Sequence, residues 1–172
     1  MPVRTSGSSS LRDARWLCLL IAAVVIVLDR WSKLWVVKHI RIGSAITVIK
    51  GVFRITHVLN YGAAFSMGAD SASPAAMRYF LIAFSAIAAV AVLVAILKWG
   101  RALTLTTFSL SLILGGALGN LYDRIRLSYV VDFLEVHIVH YHWPDFNIAD
   151  SAIVVGACLL LLETLRPQKS GR

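Results

Sequence analysis

The feature that most constrains this chain is a series of apolar runs of membrane length, with ionisable residues at their edges and inside them. Residues 75–97 form an apolar stretch of twenty-three residues, long enough to cross a hydrocarbon core of about 30 Å with some tilt. Residues 102–121 and 148–165 give two further spans. The first run is less regular. Thirteen apolar residues, 16–28, follow Arg4, Arg12 and Arg15 in the manner of a signal peptide. No small-x-small cleavage site closes them, and thirteen residues rise only about 20 Å as a helix. The run therefore continues through Asp29-Arg30-Trp31-Ser32-Lys33 to about residue 37, as an uncleaved anchor. The expectation is a single membrane domain over 1–172 with helices at 16–37, 75–97, 102–121 and 148–165.

Composition supports that reading and excludes others. With 58% hydrophobic and 15% charged residues, the chain is too apolar for an ordinary soluble domain. The net charge of +8 would suit nucleic acid only if the basic residues shared one water-facing patch. Here they flank the spans, as topology and anionic head groups require. Eight basic residues in the two tails and the 98–101 turn stand against six in 38–73 and 124–147. That places 38–74 and 122–147 outside the cytoplasm and both tails, 1–15 and 166–172, inside it. Between the first two spans, residues 46–60 alternate β-branched and polar side chains around Lys50-Gly51, the pattern of a hairpin too short and polar to span. Ser73-Pro74 provides an N-cap and a first-turn proline for the second span. Gly115 and Gly119 in the third permit close helix contact in lipid.

A carboxylate at membrane depth is costly enough to be a functional hypothesis in itself. Asp132 leaves the third span by a short strand, Tyr129-Val130-Val131, and Asp150 lies in the first turn of the fourth. Antiparallel neighbouring helices bring those two ends to one face of the membrane. Two carboxylates near 3 Å share a proton, so the ionised one can deprotonate a water while the protonated one polarises a carbonyl. A helix N-terminus favours an anion, which makes Asp132 the better holder of the proton. The structural alternative is that Asp150 merely caps its helix and Asp132 pairs with Arg124. Asp29 and Lys33, four apart with acid before base, face each other as an ion pair. Ser32-Lys33 is poor as a nucleophile and base, because adjacent helical residues point about 100° apart. No His-Glu-x-x-His or Gly-x-Ser-x-Gly pattern occurs. His137, His140 and His142 with Asp145 could hold a metal, but Trp143-Pro144 breaks the run, and no catalytic metal or other cofactor is expected.

Five stretches in order resemble the lipoprotein signal peptidases, bacterial membrane aspartic proteases. They are Asp29-Arg30-Trp31-Ser32-Lys33, Asn60-Tyr61-Gly62-Ala63-Ala64-Phe65-Ser66, Gly115 through Arg124, Val130-Val131-Asp132-Phe133 and Phe146-Asn147-Ile148-Ala149-Asp150-Ser151. Arg30 stands where that family often has glutamine. The resemblance implies an all-α polytopic protein of four transmembrane helices, with a small extracytoplasmic β-cradle and a short interfacial helix. It places Asp132 and Asp150 on the catalytic dyad. It places Asn60, Gly62, Asn120, Arg124 and Asn147 around the site, and Asp29, Lys33 and Asp123 on structural polar positions. The implied substrate is a prolipoprotein whose cysteine carries diacylglycerol, cut just before that cysteine at the outer side of the bacterial inner membrane. The expected enzyme is a monomer in contact with membrane lipid. The competing readings are a proton- or ion-coupled transporter, for which no internal repeats are visible, and a non-catalytic scaffold built on the glycine face.

Overall fold

The computed structural model describes residues 13–62, 74–139 and 141–166. The expected interfacial helix, the Ala63–Ser66 part of the second motif, the Ser73 cap, His140 and most of both tails lie outside them. Among these residues four helices and four strands alternate in pairs: α1 (Arg15–His39), β1 (Ala45–Ile49), β2 (Phe53–Asn60), α2 (Pro74–Trp99), α3 (Leu105–Arg126), β3 (Val130–Ile138), β4 (Tyr141–Phe146) and α4 (Ile148–Leu165). The strands form one antiparallel sheet in the order β1-β2-β3-β4. By connectivity the C-termini of α1 and α3 and the N-termini of α2 and α4 all meet this sheet at one end of the bundle. "All-α" therefore describes only the bundle, because the loops between spans are paired strands and not coil.

Among the described residues three helices are long and apolar enough to cross a membrane: Ala75–Trp99, Leu105–Arg126 and Ile148–Leu165. Helix α1 has the length, with 25 residues, but carries Asp29, Arg30 and Lys33 in its C-terminal half. The third helix starts later than its apolar run suggests and ends later too. Thr104 takes the Thr107 amide N–H and Thr107 returns a bond to the Thr104 amide, a capping box that fixes the first turn. At the other end the helix continues through Asn120, Asp123 and Arg124, so these polar groups project from helical turns and not from a loop.

Helix α3 is the axis of the bundle, packed against α1, α2 and α4. Its glycines make this possible. A Cβ on Gly115 would lie 2.7 Å from the Ala22 carbonyl oxygen of α1, and one on Gly116 would strike the Ala149 carbonyl of α4. Small buried residues, Cys18, Ala22 and Ala89, then fill the space between α1, α2 and α3 with Leu110, Leu114 and Ile96. Without a hydrophobic drive between helices in lipid, close backbone approach of this kind supplies much of the association energy. Tyr79, Phe84, Ile87, Val90 and Val94 of α2 point outward, as lipid-facing residues should.

The 125–146 segment, read from sequence as mixed, is a second hairpin. Trp143-Pro144 does not break it, because β4 is an edge strand, where a missing N–H is tolerated. The register shift between Leu134 and Val136 falls opposite Pro144.

Candidate active site

Asp132, the third residue of β3, is 2% exposed. Val58 lies opposite it on β2 and Asn60 opposite Val130, so Asn60 is its diagonal neighbour across the ladder. The Asn60 side-chain amide donates to Asp132 Oδ2 at 2.8 Å. The Asn60 carbonyl oxygen meanwhile accepts from the Gly62 backbone N–H at 2.8 Å, which fixes the amide with its NH2 toward the acid. Gly62 has φ of 92°, a backbone position that favours glycine. The other oxygen, Asp132 Oδ1, accepts from Asn147 Nδ2 at 2.7 Å.

Asn147 is the N-cap of α4. Its side-chain oxygen accepts from the Asp150 N–H at 2.9 Å, and its own backbone N–H donates to Asp150 Oδ2 at 3.2 Å. Asp150 is thus the N3 member of a capping box, and its second oxygen accepts from Asn120 Nδ2 at 2.7 Å. The Asn120 carbonyl accepts in turn from Lys33 Nζ at 3.1 Å. Lys33, fully buried, also forms ion pairs with Asp29 at 2.7 Å and Asp123 at 2.8 Å. Asp29 reaches across to accept the Ala149 N–H of α4 at 3.0 Å. Arg30 donates to Asp123 at 3.0 Å and lies over the Tyr122 ring, the local contacts that go with arginine at that position.

The structure therefore brings Asp132 and Asp150 to opposite sides of one residue, Asn147, in contact with its side chain and its backbone. No direct hydrogen bond joins the two carboxylates among the described residues; the bonds that reach their oxygens come from Asn60 and Asn147 on Asp132, and from Asn147 and Asn120 on Asp150. Asp150 does cap its helix. Asp132 does not pair with Arg124, whose guanidinium donates to Ser85 Oγ at 3.4 Å. Burial is the main influence on Asp132 and pushes its carboxyl up to about 6 from 3.8. The Asn60 bond opposes this, and the nearby charge of Asp150 adds to it.

A cleft of ≈ 390 Å³ runs up to Asp150 between α2 and the α3/α4 pair. Apolar Phe80, Leu81, Phe84 and Ile153 line its length, and Asn120 and Arg124 join the acid. Arg78 braces the wall by donating to the Arg124 carbonyl at 3.3 Å. Sequence reasoning did not pick out Arg78 or Ser85, although an arginine inside an apolar run is a signal of its own.

Apolar helices around a buried network of acids, amides and a lysine, with a lateral cleft, define a membrane enzyme. The family model for Signal peptidase (SPase) II matches residues 21–166, and the chain belongs to that family. It is 43% identical over 158 residues to the lipoprotein signal peptidase of Solibacter usitatus (strain Ellin6076), covering 91% of this chain and 95% of that protein. With the lipoprotein signal peptidase of Pseudomonas fluorescens (strain Pf0-1) it shares 46% over 158 residues, 91% of this chain and 89% of the other. A bacterial membrane enzyme solved by the in meso method at 1.9 Å superposes with a TM-score of 0.79 at 29% identity, covering 89% of this chain and 95% of that one. The chain is a peptidase, and the transporter reading finds no support.

Proposed function

We propose that this protein is an aspartic endopeptidase that removes signal peptides from prolipoproteins, hydrolysing the bond just before a diacylglyceryl-modified cysteine. The observation that carries this reading is the convergence of Asp132 and Asp150 on Asn147, with Asp150 lining the cleft between α2 and the α3/α4 pair. Asp150, at a helix N-terminus that favours an anion, takes a proton from the attacking water. Asp132, its carboxyl raised by burial, donates a hydrogen bond to the scissile carbonyl. Asn60, Asn120 and Asn147 hold the acids, and Arg124 offers its guanidinium to the peptide or the lipid ester. The apolar wall accepts small side chains and acyl chains while the lipid remains in the bilayer.

In this reading α1 is the fourth crossing helix, with Asp29, Lys33 and Asp123 as its structural polar core. The excess of basic residues in the tails and the 98–101 turn supports the reading that the sheet and the acids lie at the outer face of the inner membrane. A single copy contains both acids, consistent with a monomer surrounded by lipid and needing no cofactor.

Asp132→Asn and Asp150→Asn test the reading. Each should lower cleavage of a lipidated precursor at least about 10³-fold while the variant still inserts and keeps its helical circular dichroism. Cleavage retained in either variant overturns the dyad.

A further inference from the structure

The imidazoles that sequence reasoning left without a role come together with a carboxylate at the far end of the sheet. His137 and His142 are directly opposed across β3 and β4, with ring centroids 4.9 Å apart. Both Nε2 atoms converge on one oxygen, Glu135 Oε1, at 3.0 Å and 2.9 Å. One ligand atom from each of the three residues lies within 4.8 Å of the others. In a tetrahedral zinc site with bonds of about 2.0–2.1 Å, neighbouring donors are roughly 3.4 Å apart, so small rotations suffice. We propose that Glu135, His137 and His142 form a binding site for a zinc-type divalent cation, separate from the acids of the active site.

The chemistry of the donors fits. Two imidazoles and one carboxylate suit a borderline divalent ion and leave a coordination position for solvent. Glu135 is buried, and its carboxylate is held well below its usual range, at about 2, chiefly by the Arg54 guanidinium. Arg54 donates to both oxygens, and its charge opposes the cation. His142 is half exposed and His137 a third, so an ion can enter from water. Glu135 is three residues beyond Asp132, about 10 Å along an extended strand. A bound ion would clip edge strand β4, which runs into Asn147, onto β3.

The test is titration of the full-length, tag-free protein in detergent with Zn²⁺ by calorimetry and with Co²⁺ by visible absorption. One saturable equivalent is expected. His137→Ala and His142→Ala should each weaken it at least about tenfold, whereas Asp132→Asn, Asp150→Asn and His39→Ala should leave it unchanged. Arg54→Gln keeps every ligand and removes the opposing charge, so it should tighten binding. Absence of saturable binding overturns the proposal. So does binding that survives both histidine changes, binding that depends on Asp132 or Asp150, or binding that Arg54→Gln weakens.

Discussion

Asp132 and Asp150 have the same side chain and differ in surroundings. Asp150 accepts from two N–H groups, the Asn147 backbone and the Asn120 amide, at the first turn of a helix. Asp132 is more deeply enclosed in a strand, and burial carries its carboxyl up to about 6. The charge of Asp150 adds to that rise, so removing it must act in the opposite direction. In Asp150→Asn the Asp132 carboxyl should titrate at lower pH than in the parent protein, by carbon-detected spectroscopy on labelled aspartate. An unchanged or higher midpoint would show that the two acids do not sense each other. At this scale the sequence was informative about which residues matter, because acids and amides among apolar runs are expensive and therefore stand out. It was silent about how they are oriented. The bonds that aim Asn60 and Asn120 come from the Gly62 backbone and from Lys33, and neither a backbone N–H nor a pairing 87 residues apart has a local signature.

The elements were legible where one rule governed them. Helix α4 begins at Ile148, where its apolar run places it, and the hairpin around Lys50-Gly51 is present. They were less legible where two rules competed. Apolarity begins the third helix at 102, while the Thr104 cap starts it at Leu105, and proline's reputation as a breaker hid an edge strand. The glycine spacing announced close packing without naming the partner. Gly115 faces α1, whereas Gly116 meets α4 at Ala149, one residue before Asp150. Gly116→Ala should therefore destabilise the protein by about 1–3 kcal/mol in detergent melting experiments. It should also depress cleavage more than Gly115→Ala does, because the displaced backbone carries Asp150, the acid proposed to activate water. Equal effects on activity would count against this coupling.

Across the whole molecule, Lys33 joins α1 to α3 through Asp123 and Asn120, and α3 and α1 to α4 through Asp150 and Ala149. Removing one member of a buried ionic cluster leaves its partners uncompensated, typically at a cost of 3–5 kcal/mol. Lys33→Met should lower the thermal midpoint strongly. Adding Asp29→Asn and Asp123→Asn should restore much of the loss, and no recovery would mean that Lys33 acts through packing alone. The same cluster bears on how the protein is made. If α1 crosses the membrane as proposed, it enters the bilayer long before Asp123 is synthesised, yet Asp29 lies one turn before Lys33 and within 2.7 Å of its ammonium. The early segment thus brings its own counter-ion to the translocon. It can wait as a neutral dipole until the later helices arrive, and the finished network keeps the pair and adds Asp123 and Asn120 to the ammonium.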